Sequence, residues 1–321
     1  MVWLRSVLAL GALFAGMALL RRALGPEGRR AARPTPAGRA PGGMALAGAA
    51  VGGAASAAVL QSSSLCVASL AAAADAGGLD LGTAWAAVVG ANVGTTLIPQ
   101  VFAVLSVRWS VTVPWGVLGG AAACGAALCA VPRGRRIGLG LLAAACLCGG
   151  FRLLAEASGG GLPVAAQVLR VRGSALGAFA VGVAVSALVF SSGFAIAVVQ
   201  GLATAGALPL QAGIAFVCGA NVGTTADVLL AAVGARARGR ATALFHLAFN
   251  LLGAGIGLAL LHPLAVRLVA ARIPPAKALA HVHTGLNLLC GLAVLPFLPL
   301  AARRVAPLCA RTPDRPGARP R

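Results

Sequence analysis

Long apolar runs, separated by short segments rich in arginine, glycine and proline, dominate the pattern of this chain. Five of them have the length of a single membrane-spanning helix, which needs about 20 apolar residues: Val2–Leu20, Pro114–Val131, Ile137–Ala155, Ala241–Leu261 and Ala280–Leu300. This pattern predicts an all-α polytopic membrane protein. The composition agrees, because only 10% of the residues are charged, against about 25% in soluble domains.

Four further runs are longer and carry polar residues near their middle. The first, Met44–Ala74, would be about 46 Å long as one straight helix, whereas the hydrocarbon core is about 30 Å thick. We therefore predict a re-entrant hairpin with the cluster Gln61–Ser64 at its tip, because non-helical backbone at membrane depth must be buried or line a cavity. In the next run, Leu81–Val107, the segment Gly90–Thr96 holds two glycines, an asparagine and two threonines, which predicts a broken helix.

The same pattern occurs twice in the chain. The segment Gly90–Thr96 returns unchanged as Gly219–Thr225, and the same shift of 129 positions places Gln61–Ser64 over Phe190–Gly193 without insertion or deletion. Two aligned motifs at one fixed offset indicate an internal duplication. The second serine cluster departs from the first at both ends, where phenylalanine replaces the glutamine and glycine replaces the third serine.

The duplication defines the predicted domains. Residues 1–131 form a first transport repeat with a hairpin at 44–75 and a broken helix at 81–107, and residues 132–262 form a second with a hairpin at 174–206 and a broken helix at 208–234. A C-terminal transmembrane helix at 263–302 and a basic tail without regular structure at 303–321 follow. If the hairpins add no crossing, the first repeat crosses the membrane three times. The second then starts on the opposite side and has inverted topology, as in many secondary transporters.

The basic residues give the orientation. The net charge is +20, and 18 of the 26 basic residues fall in the predicted inner segments, 21–43, 132–136, 235–240 and the tail. This is the positive-inside distribution, and the arginines after Val2–Leu20 favour a retained helix over a signal peptide. Arginines confined to short loops do not indicate nucleic-acid binding. The eight cysteines lie mostly in apolar runs, without zinc-site spacing, as small packing residues do.

The two motifs resemble the sodium/phosphate cotransporter family, whose repeats carry a glutamine followed by three serines and later Gly-Ala-Asn-Ile-Gly-Thr-Thr. The resemblance extends from about Leu8 to Pro299 and departs from the family pattern at Phe190 and Gly193. It implies a sodium-coupled symporter that imports inorganic phosphate across the plasma (inner) membrane of a bacterium. It implies no enzymatic activity and no cofactor, with sodium as co-substrate, and leaves the oligomeric state open. We expect no PhoU-like regulatory domain after residue 302.

A broken helix suits both ions of such a transporter. Its free N–H groups attract an anion, and its free carbonyls, with hydroxyls and amides, suit sodium. The predicted substrate and ion site contains Gln61, Ser62, Ser63, Ser64, Asn92, Thr95, Thr96, Ser191, Ser192, Asn221, Thr224, Thr225 and Asp227. Within that set, sodium is assigned to Gln61, Ser64, Thr96, Thr225 and Asp227. Lone serines such as Ser69 are more typical of helix packing.

Three polar residues outside the repeated motifs leave two interpretations each. Asp227 is an acid inside the second broken helix, where the first repeat has Ile98; it either coordinates a cation or caps a half-helix. His246 and His283 are each followed, four residues later, by an asparagine on the same helix face. They either form interhelical hydrogen bonds or couple transport to protons.

Two further functions remain open from the sequence. The altered second cluster is compatible with another oxyanion, a different sodium stoichiometry or a homologue that no longer transports. An intramembrane serine hydrolase would use Ser192 with His246 or His283. A hydrolase, however, has no need for two serine clusters at a fixed offset from two identical Asn/Thr motifs.

Overall fold

The fold is described by a computed structural model, which covers residues 42–60, 62–108, 114–159 and 174–311, with isolated positions between 4 and 19. The predicted first span Val2–Leu20, apart from those positions, and Gln61 lie outside these ranges. So do nearly all of the loop 21–43, most of the loop 156–173 and the tail beyond Arg311.

The described ranges contain helices and no strands. In chain order they are α1 (Gly43–Leu60), α2 (Ser63–Asp75), α3 (Leu81–Gly94), α4 (Leu97–Arg108), α5 (Trp115–Cys129), α6 (Arg135–Gly159), α7 (Ala175–Val189), α8 (Ser192–Thr204), α9 (Leu210–Gly223), α10 (Ala226–Ala232), α11 (Ala237–Ala259), α12 (Leu261–Ala270), α13 (Pro275–Val294) and α14 (Leu298–Arg311). A short 3₁₀ turn, Leu295–Phe297, joins α13 to α14.

The duplicated sequence produces equivalent helices in the two halves. Helices α2 and α8, and helices α3 and α9, begin and end at positions that differ by the same 129 residues as the motifs. The turns after α2 and α8 also match, since Gly77 and Gly206 both have a left-handed backbone, with φ of 76° and 69°. A residue with a side chain is strained in that conformation and glycine is not, so the two turns use the same local solution.

Glycines set the close packing of the two principal helix pairs, α1 with α3 and α7 with α9. A methyl group added at Gly90 would collide with the carbonyl oxygen of Ala50, and one added at the equivalent Gly219 would collide with that of Phe179. Gly94 and Gly223 meet their partner helices in the same way. The glycines of the repeated motif therefore let two backbones touch, as small residues do between membrane helices.

Within the described residues, five helical stretches are long and apolar enough to cross a membrane: Gly43–Leu60, Leu81–Val104, Leu210–Ala232, Ala237–Ala259 and Pro275–Ala310. Two of these stretches, Leu81–Val104 and Leu210–Ala232, include the breaks at the repeated motifs. All-helical structure with several such stretches is that of a polytopic membrane protein, as the sequence predicts.

The C-terminal region differs from the expected pattern. The sequence predicts one helix within 263–302 and no regular structure after Arg303. Instead α13 begins at Pro275, bends at a proline-containing 3₁₀ turn and continues as α14 to Arg311. The apolar side of α14 accounts for this, because Leu298 is buried against Trp85 of α3 and Val305 packs against the same cluster. The basic composition of the segment after Arg303 gave no indication that one side of its helix is apolar.

Candidate functional site

The two serine clusters begin equivalent helices. Ser62 is the N-cap of α2, and its hydroxyl accepts the N–H of Leu65 at 3.2 Å. Ser191 is the N-cap of α8, and its hydroxyl accepts the N–H of Phe194 at 3.3 Å. Serine is favoured there because its oxygen satisfies a free amide of the first turn. The remaining serines of the clusters lie in those first turns and are buried: Ser63, Ser64 and Ser192.

The helix breaks, between α3 and α4 and between α9 and α10, fall at the threonines of the repeated motif. The hydroxyl of Thr95 donates to the carbonyl of Asn92 at 2.9 Å. The second threonine of each motif bonds back by the same offset, Thr96 to Val93 and Thr225 to Val222, both at 2.8 Å. Because these hydroxyl protons are directed to backbone carbonyls, the oxygen lone pairs remain available as acceptors. Acceptors without available protons suit a cation.

The motif asparagines are buried in the last turns of α3 and α9. Asn92 is 4% exposed and Asn221 is 7% exposed. The amide of Asn92 donates to the carbonyl of Val88 at 2.9 Å. One N–H of this side chain is thereby fixed to its own helix, which leaves the carbonyl oxygen and the second N–H for other partners.

One small cavity brings both serine clusters and both breaks together. Nine residues line it: Ser62, Ser63, Thr95, Ile98, Phe190, Ser191, Ser192, Gly193 and Thr224. The space that the centre of a water-sized sphere can occupy inside it is about 10 Å³. This is roughly the space that one water needs. None of the nine side chains is charged. The positive potential comes from the amino ends of α2 and α8, where the first-turn amides and the helix dipole favour an anion.

A cluster of oxygen atoms lies beside this cavity. The hydroxyl of Ser64 lies 3.3 Å from the backbone carbonyl oxygen of Thr224. The carboxylate of Asp227 lies close to the same hydroxyl, and Asp227 accepts the N–H of Val228 at 2.7 Å. The single proton of Ser64 can serve one acceptor at a time. The three residues therefore present more acceptors than donors, with one formal negative charge.

The equivalent place between α8 and α4 is apolar. Gly193 stands where the first half has Ser64, and Ile98 stands where the second broken helix has Asp227. Ile98 is 4% exposed and packs with Phe102 and Phe194. The side-chain hydroxyl and carboxylate of the oxygen cluster thus have no counterpart at Gly193 and Ile98, and the site is asymmetric.

The predicted site residues fall into two groups. The cavity lining includes Ser62, Ser63, Thr95, Ser191, Ser192 and Thr224. Ser64 and Asp227 join it through the oxygen cluster. The others, Asn92, Thr96, Asn221 and Thr225, are buried in or next to the same breaks without lining the cavity.

The histidines lie in the protein core. His246 and His283 are 0% and 1% exposed. Each backbone carbonyl accepts a 2.9 Å bond from the asparagine one turn later, Asn250 and Asn287. Both ring nitrogens of His246 and Nδ1 of His283 are buried without a hydrogen-bond partner. The predicted interhelical bond is therefore absent at the His246 ring, and so is the contact to a serine that a hydrolase would need.

Sequence reasoning missed two polar residues that hold the helices around the site. Gln200 is fully buried, and its amide donates to the carbonyl of Pro99 at 3.0 Å and to that of Ala276 at 2.8 Å. Asp75 accepts the N–H groups of Arg236 and Gly239 at the start of α11. Comparison of the two repeats could have identified them, because Gln200 corresponds to Ala71 and Asp75 corresponds to Thr204.

The chemistry of the side chains favours alkali cations over transition metals. Within the described ranges, no three His, Cys, Asp or Glu side chains come together as a metal site. The oxygen cluster instead consists of a hydroxyl, a backbone carbonyl and a carboxylate. Such ligands suit small hard cations.

Several bacterial proteins resemble parts of this chain. Two bear the name "Putative inorganic phosphate export protein YjbB": that of Salmonella typhimurium is 31% identical over 123 residues, and that of Escherichia coli O157:H7 is 32% identical over 123 residues. Each match covers 38% of this chain and 23% of the relative. The protein YqeW of Bacillus subtilis is 28% identical over 145 residues, which are 45% of this chain and 47% of YqeW. The matched part is thus less than half of each relative. No solved structure matches the chain.

A family model covers much more of the sequence than these pairwise matches do. The model of the Na+/Pi-cotransporter family matches residues 44–156 and 162–295. These segments contain both serine clusters, both Gly-Ala-Asn-Val-Gly-Thr-Thr motifs and the oxygen cluster around Asp227. On this match over most of its length, the chain belongs to the Na+/Pi-cotransporter family.

Proposed function

We propose that this protein is a sodium-coupled phosphate transporter of a bacterial plasma membrane. The observation that carries the proposal is the cavity lined by both serine clusters and both helix breaks. It combines the amino ends of two helices, which favour an anion, with hydroxyl and carbonyl oxygens, which favour a cation. Family membership supports phosphate as the anion, and the names of the two YjbB relatives agree with it.

The phosphate binds between Ser63 and Ser192 in this proposal, in a cavity that must widen from about the space of one water to admit it. Both serines are buried at the first turn of their helices, and both line the cavity. Neutral donors are adequate here, because a transporter must release the anion on the other side. An arginine clamp would hold phosphate through bidentate, charge-assisted bonds and slow that release.

Sodium occupies the oxygen cluster of Ser64, Thr224 and Asp227. The negative charge of Asp227 lies partly buried inside a broken membrane helix, where an unpaired acid is expensive. A bound cation would neutralise it. Thr96, Thr225 and Gln61 complete the proposed sodium ligands through the acceptor atoms of the two breaks and the first hairpin.

The two halves act as inverted repeats with re-entrant hairpins. Support comes from the equivalent helix boundaries, the matched glycine contacts and the odd number of predicted crossings. In such transporters one repeat moves against the other around a site near the midplane. We propose sodium-driven import as the physiological direction.

Export is the second candidate. The relatives from Salmonella typhimurium and Escherichia coli are named as phosphate export proteins, and the loss of polar groups at Phe190 and Gly193 would weaken sodium coupling. Labelled phosphate flux in proteoliposomes of known orientation separates the two. Import requires uptake that rises with an inward sodium gradient, whereas efflux indifferent to sodium favours the export reading. Protein with no phosphate flux under either gradient contradicts both.

A further inference from the structure

A crevice separates α2 from α10 on the side of the protein that carries Arg236. The space that the centre of a water-sized sphere can occupy inside it is about 730 Å³. Small residues on both helices line it, among them Ala68, Ala72 and Ala231. Asp75 and Arg236 stand at its outer end. The crevice is thus a large space with small apolar walls and a charged mouth.

The inner end of the crevice points at the oxygen cluster. Ala68 lies one helical turn after Ser64 on α2, and Ala231 lies one turn after Asp227 on α10. Four residues of helix span about 6 Å, so on α2 the crevice ends one turn from Ser64. On α10 its lining reaches Val228, the residue directly after Asp227. From Asp75 to Ala68 it runs seven residues, or about 10 Å, along α2.

Hydration of Asp227 requires such a route. A carboxylate within a membrane helix faces the bundle interior or a water-filled cavity, because lipid cannot solvate it. The carboxylate of Asp227 is only part-buried. The crevice lies directly beyond it on the same helix. Water reaching Asp227 from the Arg236 side would therefore pass along this space.

The duplication makes the interface between α8 and α4 equivalent to the one between α2 and α10, and its arrangement is the opposite. Ala197, which corresponds to Ala68, is 1% exposed. Phe102, which corresponds to Ala231, is 2% exposed and packs with Ile98 and Phe194. Bulky apolar side chains thus fill, between α8 and α4, the space that small ones leave open between α2 and α10.

A polar residue fastens the closed interface. Gln200 on α8 stands where α2 has Ala71. Its amide bridges the carbonyl of Pro99 on α4 and that of Ala276 on α13. In the first half, Ala71 has no side chain that could make such a bridge and lines the crevice instead.

We propose that the crevice between α2 and α10 is the aqueous path from the Arg236 side to the Ser64–Asp227 cluster, and that the α8–α4 interface is the equivalent path on the other side, closed and latched by Gln200. The identity of the solute that moves along this path rests on the proposed function. The path and the latch themselves do not depend on that function.

Thiol labelling tests the path with a matched pair of residues. Ala68→Cys and Ala197→Cys occupy equivalent positions with the same native residue. Both are made in a background without the accessible cysteines Cys124, Cys129, Cys146 and Cys309. A charged, membrane-impermeant methanethiosulfonate is applied to sealed vesicles of each orientation. We expect Ala68→Cys to react from the Arg236 side alone, at least roughly tenfold faster than Ala197→Cys, which corresponds to about 1.4 kcal/mol of extra opening for the closed site.

Two results would overturn the path. Equal rates for the two cysteines would show that the interfaces do not differ in access. Reaction of Ala68→Cys with a lipid-soluble maleimide but not with the charged reagent would make the crevice a lipid-filled groove.

The latch is tested by exchanging the equivalent residues. Gln200→Ala removes two buried hydrogen bonds, each worth about 1 kcal/mol. We therefore expect labelling of Ala197→Cys to rise roughly 30-fold from the opposite side. Unchanged labelling of Ala68→Cys in the same protein shows that the fold is retained. The reverse exchange, Ala71→Gln, should slow labelling of Ala68→Cys by filling the crevice. If Gln200→Ala leaves Ala197→Cys protected in a folded protein, Gln200 is not a latch.

These measurements separate the path from its cargo. Labelling is read without transport, so a protein that carries a different solute gives the same pattern. Failure of phosphate flux with an asymmetric labelling pattern would reject the proposed function and keep the path. Phosphate flux together with equal labelling of the two cysteines would support the proposed function and reject the path.

Discussion

The hydroxyl of Ser64 lies 3.3 Å from the backbone carbonyl oxygen of Thr224, although 160 residues separate the two in the chain. Ser64 belongs to the first serine cluster and Thr224 to the second helix break. This single contact therefore joins the two halves of the duplicated chain at their most polar positions. A site formed in this way depends on both repeats, and a change in one should alter what the other binds.

Removing the hydroxyl or the charge of the oxygen cluster should weaken sodium dependence. Ser64→Ala deletes the hydroxyl oxygen of the cluster, and Asp227→Asn deletes the formal charge while keeping the shape. A hydrogen bond to a charged group contributes about 1.5–3 kcal/mol, so each change should lower apparent sodium affinity by roughly 10- to 100-fold. Phosphate uptake at varied sodium concentration measures this.

The double variant supplies the control for this prediction. Because Ser64 and Asp227 belong to one oxygen cluster, their effects should be less than additive. Ser69→Ala, which removes a hydroxyl bonded to the carbonyl of Leu65 in the same helix, should leave sodium affinity unchanged. Strict additivity, or an equal effect of Ser69→Ala, would contradict a shared sodium site.

Restoring the second serine cluster should change the sodium response in the opposite sense. A methyl group added at Gly193 meets no atom within 4 Å, so Gly193→Ser fits without repacking. Phe190 has a left-handed backbone with φ of 51° and is 47% exposed, so Phe190→Gln exchanges one side chain for another at a strained but accessible position. The double variant should raise the apparent sodium affinity or the Hill slope of uptake. Identical sodium curves for the variant and the native protein would remove the basis for this prediction.

The duplication made much of this site predictable. Identical motifs at a fixed offset located the helix breaks, because glycine and threonine in mid-membrane weaken a helix in both copies. Residues of all four motifs line one cavity, and the binding of phosphate or sodium there stays a prediction. The departure at Gly193 lies, with Ile98, at the apolar counterpart of the oxygen cluster.

Other features could not be predicted because they depend on packing between distant segments. The role of Gln200 depends on the carbonyls of Pro99 and Ala276, which are far from it in the chain. The helix after Arg303 forms because Leu298 and its neighbours find an apolar surface on α3. Neither partner can be identified from local pattern, since a single glutamine or a basic segment is compatible with several environments.

The motif glycines should be required for packing as well as for the breaks. A methyl group at Gly90 or Gly219 would collide with a backbone carbonyl of the partner helix, and backbone cannot rotate away as a side chain can. Gly90→Ala and Gly219→Ala should each destabilise the protein by about 1–3 kcal/mol. Thermal unfolding in detergent measures the loss. Gly48→Ala on α1, where a methyl group meets no atom within 4 Å, is the matched control and should be neutral or slightly stabilising. Equal melting temperatures for all three variants would show that the helix pairs tolerate separation.

The charge that phosphate carries sets the number of sodium ions that each import cycle requires. Bringing phosphate with two negative charges into a cell that is negative inside costs about 4.6 kcal/mol at 100 mV, from about 2.3 kcal/mol per charge. Each sodium that enters returns about 2.3 kcal/mol from the potential and about 1.4 kcal/mol from a tenfold gradient.

Import of divalent phosphate therefore requires at least two sodium ions per cycle. One sodium leaves transport uphill by about 0.9 kcal/mol, whereas two provide about 2.8 kcal/mol, enough for roughly hundredfold accumulation. The oxygen cluster with Asp227 offers a charged site for one cation, and the hydroxyls and carbonyls of the breaks offer ligands for another. The reversal potential of phosphate flux, measured in vesicles at set sodium ratios, determines the stoichiometry. We expect a value for two or more sodium ions in the native protein and a shifted voltage dependence in Asp227→Asn. A reversal potential that fits one sodium per divalent phosphate, or flux that ignores sodium, would exclude sodium-driven import and leave export as the direction to test.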